Sequence, residues 1–316
     1  MSRPRSRAAD YAVYLAARVL VCILQGMSYR LGRSLMNGLA WLAYHLDRRH
    51  REVAIENLRH AFPDKYDESR LRRLTLDVYR HFANLLIEMV YLPRLIRPHN
   101  WKKFVRFENM EETIAELVSG RPVIIVTGHF GNWEMAGYAL GLVGFKTYAI
   151  ARPLDNPYLE RFAKKFRERT GQTLLAKKGD FDRIEGILQG GGILATLGDQ
   201  DAGQRGLFVD FFNRPASTHK AIALLALQHR ATLAMCVARK VGEPMKYVIQ
   251  CEDLMRPDDL DAEPGGVRGI TQRLTSALER LIRRDPKQYF WLHRRWKHQP
   301  VRRAESRTSA PGSRVA

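Results

Sequence analysis

The chain has 316 residues, of which 45% are hydrophobic and 27% charged, a composition typical of a globular protein and not of a disordered one. Its length allows one large domain, or one domain with an appendage. The three cysteines lack both the close spacing of a metal site and the even number of a disulfide framework, which indicates a reducing compartment.

The formal net charge of +19 is concentrated at the two ends of the chain. Residues 1–110 carry 20 Lys and Arg against 10 Asp and Glu, and residues 286–316 carry 8 against 1. An anionic membrane surface attracts each such basic residue by about 1 kcal/mol. Nucleic acid would attract them too, but the sequence contains no zinc-finger, RNA-recognition or basic-zipper pattern. We therefore expect anionic lipids and no nucleic acid among the partners.

The first hundred residues are predicted to be helical and to associate with a membrane. Residues 1–10 form a basic leader, and helical patterns dominate residues 11–98. Two apolar stretches occur, at residues 11–32 and residues 35–46. Arg18 interrupts the first, and neither contains an unbroken run of the roughly 20 apolar residues that a clean spanning helix needs. They suit an interfacial anchor or a tilted helix whose arginine reaches the headgroups. The alternative is a pair of helices buried in a soluble bundle.

Strand and helix patterns alternate from residue 99 to residue 300, which predicts an α/β domain with a largely parallel mixed sheet flanked by helices. The expected strands are residues 123–126, 146–151, 173–175, 192–197, 232–239 and 246–251. The expected helices, after one at 69–91 that should end before Pro93, are residues 111–118, 133–142, 157–170, 181–189, 218–228 and 266–284. Residues 207–212 are expected to be a loop or an edge strand, and residues 301–316 a disordered basic tail.

The segment TGHFGNWE, residues 127–134, follows a short apolar run that reads as a buried strand. Its glycines predict a sharp turn into a helix, with Asn132 as the N-cap. His129 and Glu134 would then lie at the carboxyl end of the strand, where open α/β sheets bind ligands. A histidine and a carboxylate at this place suit a general base and the acid that orients it. The alternative is an ordinary turn whose histidine satisfies backbone groups.

Two further predicted strands also end in polar side chains. Arg152 follows one of them, and Asp199 and Gln200 follow another, so all three are expected near the same crevice. A surface ion pair with Asp155 is the alternative for Arg152, and fixing the loop is the alternative for the other two. The sequence has no HExxH motif or Cys/His cluster, so we expect no metal. It also lacks the GxSxG elbow of covalent serine hydrolases.

The hexapeptide HFGNWE at residues 129–134 resembles the signature of the bacterial lipid A acyltransferases, members of the lysophospholipid acyltransferase superfamily. The similarity continues in order along the chain, at residues 57–63 (NLRHAFP), 152–156 (RPLDN), 198–201 (GDQD), 211–218 (FFNRPAST) and 288–297 (QYFWLHRRWK). It departs from the family at Asn213, where glycine is usual. Asparagine tolerates a left-handed backbone, so the turn is expected to persist.

The resemblance implies an O-acyltransferase at the cytoplasmic face of the inner membrane. It would move a fatty acyl group from a thioester of acyl carrier protein or coenzyme A to a hydroxyl of a lipid A precursor, with no redox or metal cofactor. His129 would act as the base, held by Glu134, and Arg152 would bind substrate or stabilise the oxyanion. The implied substrate-binding residues are Asn132, Arg152, Asp199 and Gln200. Two alternatives stay open: another glycolipid or a lysophospholipid as acceptor, and a non-catalytic membrane-binding protein of the same fold.

Basic and aromatic residues in two of these segments have predicted roles of their own. Arg294, Arg295 and Lys297 are expected to contact a phosphorylated head group or to form a solvated basic end. Phe208, Phe211 and Phe212 are expected to wall an acyl channel or, more simply, to belong to the core.

Overall fold

A computed structural model describes residues 6–176 and 179–300, so the expected tail at 301–316 lies outside the described residues. Four helices come first: α1 (Arg7–Gly26), α2 (Tyr29–Leu46), α3 (Arg48–Ala61) and α4 (Glu68–Leu95). Strands and helices then alternate: β1 (Val105–Glu108), α5 (Glu111–Val118), β2 (Val123–Thr127), α6 (Trp133–Leu142), β3 (Thr147–Ala151), α7 (Pro157–Arg167), β4 (Gln172–Ala176), α8 (Phe181–Gln189) and β5 (Ile193–Leu197). The remaining elements are β6 (Leu207–Phe211), β7 (Arg214–Thr218), α9 (Ala221–Gln228), β8 (Thr232–Gly242), β9 (Lys246–Met255), α10 (Pro257–Ala262) and α11 (Val267–Arg284).

Each of the four N-terminal helices begins at a side chain that accepts a hydrogen bond from a backbone N–H of the first turn. The caps are Ser6, Ser28, Asp47 and Asp67. These residue types satisfy donors that a helix start would otherwise leave unpaired. The prediction that the fourth helix ends before Pro93 is wrong, because α4 continues to Leu95. Proline inside a helix costs about 3 kcal/mol, and here the buried side chains of Tyr91 and Leu92 before it and of Ile96 after it offset that cost.

The main sheet has seven strands in the order β1-β9-β8-β2-β5-β3-β4. All neighbouring pairs are parallel except β8 and β9, which form an antiparallel hairpin. The predicted fold class, a largely parallel mixed sheet flanked by helices, is therefore confirmed. In the central pair β2 and β5 the last residues, Thr127 and Leu197, are partners in register. The loops after these two strands consequently leave the sheet side by side.

Three elements were not anticipated: β1, β7 and α10. β6 and β7 form a separate two-stranded antiparallel sheet, whose turn has Phe212 and Asn213 at φ 52° and 59°. Two successive left-handed residues are what a tight hairpin turn requires, so the turn expected at Asn213 is confirmed. Because β7 extends to Thr218, α9 starts three residues later than predicted, and His219 precedes it.

The helical region and the sheet share their hydrophobic cores. Residues from the first half of α4, such as Leu71 and Val78, pack in the core on one face of the sheet. Residues from its second half, such as Ile87 and Leu92, pack in the core on the other face. α4 therefore contributes to both layers.

Helices α1 and α2 leave many large apolar side chains in contact with solvent. Those at least 40% exposed are Tyr11, Val13, Leu15, Val19, Leu20 and Ile23 on α1, and Leu31, Leu35, Leu39, Trp41, Leu42 and Leu46 on α2. By length and composition alone, α1 is also the one helix of the described chain that is long and apolar enough to cross a membrane. Taken alone, one such helix is weak support for a span. Exposed apolar side chains on two consecutive helices are typical of a surface that contacts another protein or a membrane.

Candidate active site

The turn between β2 and α6 has the conformation that its sequence predicts. Asn132 caps α6, and its side-chain oxygen accepts a hydrogen bond from the Met135 N–H at 2.9 Å. Gly131 has φ 64°, and a Cβ placed there would lie 2.1 Å from the carbonyl oxygen of Ala238 on β8. Only glycine fits this position, which brings His129 to the carboxyl end of the sheet.

His129 is paired with Asp199, the residue that leaves the neighbouring strand. The imidazole Nδ1 lies 2.8 Å from Oδ1 of Asp199, and the backbone N–H of His129 donates to Oδ2 at 2.9 Å. Burial disfavours the charged imidazolium, but the adjacent carboxylate outweighs burial and raises the pKa of His129 above its ordinary value. Burial alone would raise the pKa of the Asp199 carboxyl. The adjacent imidazole and the N–H bonds from His129 outweigh burial and hold that pKa below its usual range.

Glu134 was predicted to orient His129, and the structure places it elsewhere. Its carboxylate is bonded to Arg167 at the end of α7, with N···O distances from 2.5 to 3.1 Å. Glu134 is the second residue of α6 and faces the helix that packs beside it, whereas His129 precedes the turn. Asp199, predicted only to bind substrate, is the residue that fixes the imidazole.

The other imidazole nitrogen, Nε2, faces an open cleft. The side-chain amide nitrogen of Gln200 lies 3.4 Å from it, and the rings of Trp133 and Phe290 pack against the imidazole. The cleft has a volume of about 590 Å³ and is otherwise lined mainly by apolar side chains of α2 and α4. With the proton of a neutral imidazole on Nδ1 toward Asp199, Nε2 is left as an acceptor pointing into this cleft.

Asp199 is supported from behind by the C-terminal segment of the described chain. Tyr289 is buried beside its carboxylate, and burial together with that carboxylate raises the pKa of Tyr289 well above its usual range. Arg295, only 2% exposed, donates to the Ser217 carbonyl and the Thr218 hydroxyl, both at 2.6 Å, and lines the same small interior cavity as Asp199. The expected contact between Arg295 and a head group is therefore wrong, because its guanidinium is inside the core.

The same C-terminal segment holds the turn between β2 and α6 by backbone hydrogen bonds. Phe290 donates its N–H to the His129 carbonyl at 3.0 Å, and the Gly131 N–H donates to the Gln288 carbonyl at 3.0 Å. His293 accepts the Asp201 N–H on its Nε2, so its imidazole is neutral, and burial lowers its pKa in agreement. Tyr289 and His293 were not selected from the sequence as residues of the site, since only their chain segment carried a signal.

The remaining predicted residues lie away from the imidazole. Asn132 is fully buried and donates to Glu88 of α4 at 3.0 Å, which leaves it no surface for a substrate. The side chain of Arg152 is 85% exposed and forms an ion pair with Asp155 at 3.6 Å, the alternative that the sequence also allowed. Phe211 and Phe212 are buried in the core and do not line the cleft.

Glu88 joins the helical region to the turn between β2 and α6. It is 1% exposed, and besides Asn132 its carboxylate is bonded to Lys240 and to the Tyr247 hydroxyl of the β8–β9 hairpin. Tyr29 of α2 reaches the same carboxylate at 3.4 Å. A buried carboxylate with this many partners is satisfied, so the network fixes the start of α6 relative to α4.

Among residues 6–176 and 179–300, no three His, Cys, Asp or Glu side chains are grouped as metal ligands would be. The site instead offers an imidazole oriented by a buried carboxylate, next to an apolar cleft. This combination suits removal of a proton from an amphipathic substrate.

Comparison with known proteins agrees with this chemistry. Residues 2–298 match the family model of the bacterial lipid A biosynthesis acyltransferases. The chain belongs to this family. It is accordingly an acyltransferase, and the family suggested by the HFGNWE segment is confirmed.

Individual relatives of this acyltransferase show moderate identity over most of its length. The lipid A biosynthesis lauroyltransferase of Escherichia coli is 26% identical over 278 residues, which cover 86% of each chain. The palmitoleoyltransferase of the same pathway in E. coli is 26% identical over 259 residues, 80% of this chain and 81% of the relative. A phosphatidylinositol mannoside acyltransferase of Mycobacterium tuberculosis is 25% identical over 187 residues, 58% of this chain and 57% of the relative.

Proposed function

We propose that this acyltransferase transfers a fatty acyl group from a thioester donor to a hydroxyl of a lipid A-type glycolipid, with His129 as the general base. The observation that carries the proposal is the orientation of the imidazole. Its Nδ1 is held by Asp199 at 2.8 Å, while Nε2 faces an apolar cleft. The names of the relatives that span over four-fifths of the chain support the acceptor class.

In the proposed reaction, Nε2 of His129 takes the proton of the acceptor hydroxyl as its oxygen attacks the thioester carbonyl carbon. Asp199 keeps the Nδ1–H in place and stabilises the imidazolium that forms. The tetrahedral intermediate then breaks its C–S bond, and the imidazolium returns the proton to the leaving thiolate. The products are an ester and a free thiol, and no covalent acyl-enzyme is needed because the thioester is already activated.

Oxyanion stabilisation in this scheme falls to donors near Nε2. The Gln200 amide is the side-chain donor closest to it, at 3.4 Å, and we assign it this role. Arg152 stays a proposed substrate contact at the rim, where its exposed guanidinium could exchange Asp155 for a phosphate or an oxyanion. Glu134 acts indirectly by holding Arg167 against the start of α6, a positioning role.

The membrane reaches the cleft through α2 and α4. Leu39 and Leu86 line the cleft and are 47% and 60% exposed, so they belong both to its wall and to the outer apolar face. An acyl chain or a lipid acceptor could therefore pass from the bilayer to His129 along apolar surface throughout. With the basic charge near the N-terminus, this arrangement supports attachment to the cytoplasmic face of the inner membrane.

We infer that the donor is a thioester of acyl carrier protein or of coenzyme A, and that no cofactor is required. A second acceptor class is favoured by one observation, the similarity of more than half of the chain to phosphatidylinositol mannoside acyltransferases. Such an acceptor would use the same base and the same cleft.

The test is transfer of labelled acyl groups in detergent, from acyl carrier protein and from coenzyme A, to a lipid A precursor, a mannosylated phosphoinositide and a lysophospholipid. We expect transfer to the lipid A precursor, and loss of that transfer in His129→Ala. The matched control is His99→Ala, since His99 is exposed and remote from the turn. Preference for another acceptor would refute the acceptor assignment, and full activity of His129→Ala would refute the mechanism.

A further inference from the structure

A basic cleft of about 700 Å³ lies between the end of α3, the turn that follows it, the β6–β7 turn and the last turn of α11. Its cationic side chains are Arg59, Lys65, Arg214 and Arg283, and His60 also lines it. The only acidic residue that lines it is Glu56. The cleft is within the usual size range of small-ligand sites, and its electrostatic potential favours an anion.

The cleft joins two segments that the proposed mechanism does not use, residues 57–63 and 211–218. They are about 150 residues apart in the sequence and meet through Phe62 and Phe212, whose ring centroids are 5.4 Å apart. Both phenylalanines are buried and form the floor. The guanidinium of Arg283 lies 4.6 Å from the centre of the Phe212 ring, so the floor orients it as well.

Two of the cations in the basic cleft are free to take an external anion. Arg59 and Arg283 already bind carboxylates of Glu68 and Glu279, at 2.6 and 2.5 Å. Within residues 6–176 and 179–300, neither Lys65 nor Arg214 has a carboxylate partner, and Lys65 lies over aromatic rings instead.

His60 adds a polar atom at the same place. Its Nε2 is buried and has no hydrogen-bond partner in the described chain. Burial and the neighbouring Arg214 lower the pKa of His60, so the ring is neutral and adds no charge to the cleft.

We propose that the basic cleft binds a phosphate group of one of the two substrates, an inference that rests on the proposed acyl transfer. A phosphate presents several acceptor oxygens and one or two negative charges, which guanidinium and ammonium groups match. Both substrates offer such a group: the acceptor on its sugar head, and the donor on the pantetheine arm that carries the thioester.

The floor of the basic cleft is linked to His129 through two neighbouring residues. Trp291 packs against Phe62 and Phe212, with ring centroids 6.0 and 5.7 Å apart. The preceding residue, Phe290, packs against His129 at 6.0 Å. Residues 290 and 291 therefore connect the two sites through the core.

The experiment compares Lys65→Gln/Arg214→Gln with the single variants and with Arg106→Gln. Arg106, on the edge strand β1, is exposed and outside the basic cleft, so it controls for loss of charge. We expect the double variant to raise the KM for one substrate roughly tenfold with kcat nearly unchanged. The control variant should leave the KM for both substrates unchanged. Repeating the assay with a dephosphorylated acceptor separates the sources. If the phosphate is the acceptor's, the variant and the wild type become alike, and if it is the donor's, the difference persists.

Direct binding keeps this test independent of catalysis. Broadening of the phosphorus NMR signal of glucose 1-phosphate is measured with the wild type and with the double variant. Broadening by the wild type alone supports the cleft, even if no acyl acceptor is found and the proposed function fails. An active enzyme whose KM values and phosphate binding both survive the double substitution would overturn the inference.

Discussion

Replacement of Asp199 by Asn tests the central assignment of the site with a change of one atom. Both carboxylate oxygens accept hydrogen bonds from His129, one from Nδ1 and one from the backbone N–H. An amide has only one acceptor oxygen. If that oxygen keeps the backbone bond, the NH₂ group faces Nδ1 and forces the imidazole proton onto Nε2, which is then no longer a base.

The expected cost follows from this tautomer. In serine proteases, the corresponding Asp-to-Asn change lowers kcat about 10⁴-fold, or about 5 kcal/mol in the activation barrier. We expect about 10³- to 10⁴-fold here. Loss of one buried hydrogen bond should also reduce the free energy of unfolding by about 1–3 kcal/mol.

The assay is steady-state acyl transfer, with thermal melting to confirm that each variant is folded. Glu134→Gln is the comparator, because it is an equally small change in the carboxylate of the HFGNWE segment. Since Glu134 binds Arg167 and not His129, its kcat should fall much less than that of Asp199→Asn. A folded Asp199→Asn with more than a tenth of wild-type kcat, alongside an inactive Glu134→Gln, would refute the reasoning.

Three further outcomes follow from the structure. In Tyr289→Phe, loss of the hydroxyl should leave the Asp199 carboxylate less stabilised, so that it holds the imidazolium more strongly. The pKa of His129 should then rise and move the acidic limb of the kcat profile to higher pH. An unmoved limb would contradict this. Gly131→Ala should lower the free energy of unfolding by about 2 kcal/mol or more, measured by denaturant titration, because its φ is 64° and the new Cβ would collide with the Ala238 carbonyl; unchanged stability would argue against this turn geometry. Leu42→Asp should weaken binding to anionic vesicles roughly tenfold in sedimentation assays without lowering the melting temperature, since its side chain is 45% exposed on the apolar face, and equal binding would exclude that face.

The sequence predicted the sheet and the location of the base because both depend on local patterns. A short β-branched run followed by glycines predicts a strand and a turn, and parallel strands bring their carboxyl ends together. That rule placed His129 near Asp199, 70 residues away. It could not show which carboxylate the imidazole binds. That depends on the order of the strands, which places the last residues of two of them, Thr127 and Leu197, in register as neighbours, and no local pattern gives that order.

The failures have the same origin. The direction of Glu134 depends on the packing of α7 beside α6, and the exposure of Arg152 depends on which elements pack over the loop after β3. Pro93 was expected to end a helix by local rules, but the burial of Leu92 before it and of Ile96 after it decides otherwise. Arg295 read as one more basic residue of a charged segment, although it is inside the core.

The Glu88 network bears on how this enzyme can be handled in the laboratory. Shortening the chain at the N-terminus to obtain a water-soluble catalytic fragment would remove Tyr29, and a cut beyond α4 would remove Glu88 itself, leaving Lys240 and Asn132 without their buried acceptor. The apolar helices are thus not a detachable handle. Purification should retain the whole chain in detergent or lipid nanodiscs, and a truncated form that lacks activity would say little about the chemistry of His129.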